Sequence, residues 1–247
     1  MAFAFGFRSG KISPPQIERR NMKANPLFKL IFRSIVLLIA IASTLIGFIL
    51  PNLTPDGDPI SPFLFFTNWS VYLATLSAAL VFALSLFGFI RKEEKASLAV
   101  DLIQFSAVMM ILVTFIVSAF VLPDKIWMAG YWKPASIFKH FLLPILIVGD
   151  YLAFAPKGSA KAYSPFVALI APLLYWVILI SRIMIARNEH GGALPESLWP
   201  YYYPYGFTNL DNGKSLGFLL GLGGGIMAAM IAIGFLFYFL KRAKKAE

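Results

Sequence analysis

The sequence predicts an all-α fold, an integral membrane bundle of six transmembrane helices with both termini cytoplasmic. Three observations carry this. The 247 residues are 59% hydrophobic and only 14% charged, and the mean hydropathy of +0.74 exceeds what the surface of a water-soluble domain tolerates. Apolar runs of about 20 residues, the length of a spanning helix, recur along the whole chain. The Lys and Arg residues are segregated between the connections in the manner of a multi-pass cell-membrane protein.

Residues 1–26 hold Arg8, Lys11, Arg19, Arg20 and Lys23 with Pro14-Pro15 and lack the apolar core and cleavage site of a signal peptide, so they read as a basic cytoplasmic tail. Residues 27–247 form the transmembrane domain. The first run, Leu27 to Leu50, stops at Pro51; the loop to Pro62 has no Lys or Arg. The second, Phe63 to Ile90, ends on Arg91-Lys92-Glu93-Glu94-Lys95. The third, Leu98 to Leu122, starts near Asp101 and closes at Pro123-Asp124. The fourth, Ser136 to Phe154, contains His140, Pro144 and Asp150. The fifth, Ser164 to Ile185, carries Pro172, Tyr175, Trp176 and Arg182. After a long aromatic connection the sixth, Ser215 to Leu240, ends on Lys241-Arg242-Ala243-Lys244-Lys245. With both ends inside, sixteen basic residues, Arg33 among them, fall on the cytoplasmic side and four on the other. The net charge of +10 is therefore topological, and nucleic acid is not an expected partner.

Phe65-Phe66-Thr67-Asn68-Trp69-Ser70 places polar side chains in a run where lipid offers them no hydrogen-bond partners. In this orientation Thr67 and His140 lie about four residues, on the order of 6 Å, below the outer ends of their helices. Arg182 falls in the same layer, with Tyr175 and Trp176 about two turns deeper. A threonine inside a helix ordinarily bonds back to a carbonyl three or four residues earlier, here Leu64 or Phe63. Paired with an imidazole it becomes an activated nucleophile, and Arg182 or Asn68 is then the candidate for holding the developing oxyanion. Ser70, Tyr175 and Trp176 are pocket candidates, and Tyr203 and Tyr205 form a possible outer flap. Pro144 removes the helical partner of the His140 carbonyl and favours a kink there. No third residue orienting the histidine is visible.

Phe65-Phe66-Thr67, Lys139-His140-Phe141-Leu142-Leu143-Pro144 with Asp150-Tyr151-Leu152, Pro172-Leu173-Leu174-Tyr175 with Ser181-Arg182, and Tyr203-Pro204-Tyr205-Gly206-Phe207 follow in an order that resembles the androgen-induced-gene family of multipass membrane proteins and its bacterial relatives. The resemblance implies a threonine hydrolase that cleaves fatty acid esters of hydroxy fatty acids, with Thr67 in the nucleophile's position and His140 in its partner's.

Other motifs have plainer readings. Gly213-Lys214-Ser215-Leu216-Gly217 satisfies G-x-S-x-G, but no strand precedes it, so Ser215 reads as a helix N-cap. Gly217, Gly221 and Gly225 form a close-packing stripe, inside the bundle or between protomers of a homo-oligomer. With no Cys and two His, neither thiol chemistry nor a metal site is expected, and no cofactor is implied. Two other readings compete: a non-enzymatic lipid-binding or scaffold protein whose polar layer pins helices together, and a small transporter with Asp101 and Asp150 as an inner proton relay and His140 at the outer gate.

Overall fold

The computed structural model describes residues 25–52, 61–92, 96–121 and 134–242; the basic tail expected at 1–26 lies almost wholly outside these. Among the described residues all regular structure is helical: α1 (Pro26–Asn52), α2 (Ser61–Leu64), α3 (Phe66–Arg91), α4 (Leu98–Ile116), α5 (Pro134–Ile137), α6 (Leu143–Phe154), α7 (Ser164–Val167), α8 (Ile170–Glu189), α9 (Trp199–Tyr202) and α10 (Leu216–Lys241). Two π-helical turns, Val117–Val121 and Phe138–Leu142, extend α4 and join α5 to α6. Five helical segments are long and apolar enough to cross a membrane: Pro26–Ile46, Phe66–Arg91, Leu98–Phe120, Ser164–Glu189 and Leu216–Lys241. The fourth predicted run is not one of them. It is a continuous helical segment, but its α-helical turns are interrupted by the π turn that bears Lys139 and His140.

The bundle centres on α4, which buries Phe105, Val108, Met109, Met110 and Ile111 and packs against α3, α6, α7 and α10. The facing stripe of α3 is small, with Ser70, Ala74, Ser77 and Ala78 all buried, so the helices approach closely. Large apolar side chains instead point outward, among them Leu38, Phe87, Ile145, Val177, Leu220 and Phe239. Such extensive apolar exposure is what a lipid-facing surface requires.

Arg33 is not a solvated flank of the first run. It is 3% exposed and its Nε lies 2.8 Å from Asp150 Oδ1, 2% exposed. Nη1 donates to the Val81 carbonyl at 3.0 Å and to Ser85 Oγ at 2.7 Å, while Gln104 Nε2 donates to Asp150 Oδ2 at 3.0 Å. The ion pair between α1 and α6 thus has hydrogen-bond partners from α3 and α4, beside a void of about 10 Å³ bordered by Ser77 and Ile147. A void of this size holds at most about one water.

Lys241, the first of the basic residues that close the sixth run, is buried as well. Its Nζ donates to the carbonyls of Leu152 and Ala155, both at 2.8 Å, capping the end of α6. Lys157 Nζ in turn donates to the Leu240 carbonyl near the end of α10. Each lysine neutralises carbonyls that the final turn of the other helix leaves unpaired. Ser215 is the N-cap of α10, accepting from the Phe218 amide at 3.0 Å.

Gly217, Gly221 and Gly225 lie on the outside of the chain; a Cβ at Gly221 or Gly225 would meet nothing within 4 Å. The glycines of α10 that pack closely within the chain are two others. At Gly223 a Cβ would come within 3.2 Å of Trp176, and at Gly234 within 2.9 Å of Pro165 Cβ and 3.3 Å of its Cα. The Gly234→Ala variant is accordingly expected to lose about 1–3 kcal/mol of stability, because the obstacle is partly backbone. Unfolding of purified protein in detergent measures it, with Gly221→Ala as the silent comparison.

Candidate active site

His140 owes its setting to Pro144. Without an N–H at residue 144 the helix cannot close its ordinary bond onto the His140 carbonyl, and the chain adopts a wider turn in which the Leu143 amide pairs with the Phe138 carbonyl five residues back. The imidazole leaves this π turn with Nδ1 2.6 Å from Ser118 Oγ. Ser118 stands in the other π turn and is 4% exposed. Widened turns of this kind concentrate at functional sites because they re-aim side chains.

Thr67 is set by a break that the apolar run does not announce. Phe65 is extended (φ −96°, ψ 128°), so α3 begins afresh and Thr67 lies in its first turn. The two carbonyls foreseen for a back-bonded threonine have other donors: Trp69 Nε1 donates to Phe63 at 2.9 Å and the Tyr175 hydroxyl to Leu64 at 2.9 Å. The Thr67 hydroxyl faces the Tyr205 phenol. Its carbonyl accepts from Ser70 Oγ at 2.7 Å, and Ser70 Oγ lies 2.7 Å from Thr114 Oγ1. Ser70 has one proton and a carbonyl only accepts, so Thr114 is the donor to Ser70.

These bonds fix the register of two antiparallel helices. Ser85 and Gln104 share the Arg33–Asp150 cluster at one end, and Ser70 meets Thr114 toward the other. One further turn outward stand Thr67 on α3 and Ser118 beyond α4. Lys139 Nζ also donates to Asn68 Oδ1 at 3.0 Å, tying the neighbour of His140 to the neighbour of Thr67. Thr67, Asn68, Ser118, Lys139 and His140 thus belong to one polar layer. No hydrogen bond among the described residues joins Thr67 to His140 itself: the ring's bond goes to Ser118. Catalytic hydrogen bonds are commonly loose before substrate binds.

The remaining candidates separate. Ser70 serves the helix contact just described, and the Asn68 amide oxygen is engaged by Lys139. Tyr175 is buried, with its ring edge-on to Phe66 and Trp69 at 5.3 and 5.8 Å. Trp176 is buried and packs on Gly223. Arg182 lies over the Tyr202 ring at 4.7 Å, and its Nη1 is buried without a hydrogen-bond partner.

The connection between α8 and α10 is held by Asp211, whose carboxylate accepts from the Leu194 amide at 3.0 Å and the Tyr203 hydroxyl at 2.5 Å and lies 3.2 Å from Arg187. Tyr203 is therefore a strut of this loop. Tyr205 is the residue it presents to Thr67, stacked parallel on Phe207 at 5.0 Å and edge-on to Phe65 at 5.8 Å. Burial pushes the Tyr205 phenol above its ordinary range, against the Thr67 hydroxyl and the Thr67 and Phe66 amides, which favour its ionised form. Burial, reinforced by the hydrogen bond to Asp211, also pushes Tyr203 up. A phenol raised in the folded state contributes stability that is complete below about pH 10, its unfolded value, and is lost as pH rises beyond. Thermal unfolding followed between about pH 9 and 11.5 should show this loss, and Tyr203→Phe should reduce its steepness.

Ser118 and Lys139 are the members of this polar layer that the sequence did not single out. Lys139 carried a signal, a lysine beside a membrane histidine; Ser118, an isolated serine in an apolar run, carried none. Among the described residues no group of three His, Asp or Glu side chains converges to hold a metal. No family model, curated protein or solved structure matches the chain.

Proposed function

We propose that the chain is a six-span cell-membrane hydrolase of lipid-like esters, fatty acid esters of hydroxy fatty acids or similar, with both termini cytoplasmic, Thr67 as nucleophile and His140 as its general base. The six-span reading takes Pro134 to Phe154 as the additional crossing, and the bias of basic residues orients it. The family resemblance points to the same two residues. The observation that carries the reading is the layer itself, in which a half-buried imidazole anchored through one nitrogen shares a level with a threonine hydroxyl at a fresh helix start.

In the reaction the Thr67 hydroxyl gives its proton to the imidazole as oxygen attacks the ester carbonyl; the imidazolium then protonates the departing alkoxide, and water releases the acyl group from Thr67. Histidine-activated water, positioned by Thr67, is the alternative route. Lys139, bonded to Asn68, supplies the positive charge of this layer for the developing oxyanion. Labelling of the purified protein with a fluorophosphonate probe tests the assignment. Signal is expected in wild type and absent in Thr67→Ala. Undiminished labelling of Thr67→Ala removes Thr67 as the nucleophile. A wild type with neither labelling nor activity on fatty esters leaves the lipid-binding or scaffold role, in which the Ser70–Thr114 and Lys139–Asn68 bonds simply pin helices.

A further inference from the structure

We infer that Ser118 is a positioning residue whose Oγ accepts the Nδ1–H of His140 and so holds the imidazole in the tautomer whose Nε2 lone pair is free to take a proton. The inference rests on the hydrolase reading for its polarity, and on geometry for the contact itself. The 2.6 Å contact joins two side chains on two different π turns, one of them imposed by Pro144. Among the described residues the Ser118 hydroxyl makes no other hydrogen bond, so the contact by itself allows either polarity, and the hydrolase reading selects the one in which Ser118 accepts. The opposite polarity would put a proton on Nε2 and make the ring unable to act as a base there. Ser118 is also the wrong hydroxyl to be the nucleophile: at 4% exposure it offers an ester carbonyl no approach, whereas Thr67 is only partly buried. When the Thr67 proton passes to Nε2, the Nδ1–H stays on Ser118, and the same Nε2 proton leaves with the alkoxide.

The two histidines make the tautomer directly readable. His190 Nδ1 lies 2.9 Å from the Ala186 carbonyl, which only accepts, so its ring carries the proton on Nδ1 and serves as an internal reference. In ¹⁵N-histidine spectra of the detergent-solubilised protein, wild-type His140 should show the same pattern, a protonated Nδ1 and an unprotonated Nε2. Ser118→Ala should shift it toward protonated Nε2 and lower kcat by about 10-fold or more with little change in KM. Ser118→Thr, which keeps a hydroxyl, should restore both. A wild-type ring protonated on Nε2, a ring pattern unmoved by Ser118→Ala, or fluorophosphonate attached to Ser118 overturns the inference, whatever the hydrolysis assay gives. A Ser118-dependent Nδ1–H tautomer in a protein that hydrolyses nothing supports the positioning and counts against the hydrolase reading alone.

Discussion

Replacing Asp150 with alanine is expected to cost about 3–5 kcal/mol of stability, the usual result of stranding one member of a buried ion pair. Arg33 would keep its bonds to Val81 and Ser85 but face the void left by a carboxylate 2.8 Å away, and Gln104 would lose its acceptor. At 3% exposure the guanidinium has no route to water without moving α1. A lipid surround makes the stranded charge no cheaper. Replacing both partners, Arg33→Leu with Asp150→Leu, should recover most of the loss, because apolar substitutes of similar volume often match a buried pair. Denaturation of the purified protein in mixed micelles distinguishes the two variants. Equal stability of wild type, Asp150→Ala and the double variant would mean that the cluster is not closed in the folded protein.

His140→Ala is expected to reduce turnover of a fatty ester by about 10²–10⁴-fold, the range by which a positioned general base accelerates such a step. The loss should fall on kcat, since the imidazole acts on the proton of Thr67 and not on the acyl chain. Thr67→Ala should be at least as damaging, and the double variant no worse than the poorer single one, because residues acting as one unit are not additive. Thr67→Ser retains the hydroxyl and should keep measurable activity. Additive losses in the double variant would show that the two residues act separately. Turnover undiminished in His140→Ala would end the assignment of the base. Folding of each variant is checked independently by its elution as a monodisperse species in detergent.

Helix existence was legible in the sequence because apolar length is a one-dimensional property, and the starts near Leu98 and Ser164 and the Ser215 cap agree with the structure. Interruptions were less visible. The break at Phe65 and the π turns at Ser118 and His140 depend on which carbonyls find donors in neighbouring helices, and only Pro144 advertised one of them. Thr67 and His140 stood out as polar groups in apolar runs, and their common depth was expected from counting residues down two helices that enter from the same face. The partner that anchors the histidine did not, since an isolated serine in Leu98 to Leu122 resembles any other small packing residue.

By itself, then, the sequence determined a helical, apolar, multi-helix chain with a basic bias and two chemically unusual residues, because hydrophobic length and charge placement act locally along the chain. Only the tertiary structure decided partnership. Arg33 belongs to Asp150, Lys241 to the end of α6, Lys139 to Asn68 and His140 to Ser118. Each is a pairing between elements distant in sequence, chosen because a buried polar group must find its partner within the fold when the surroundings offer none.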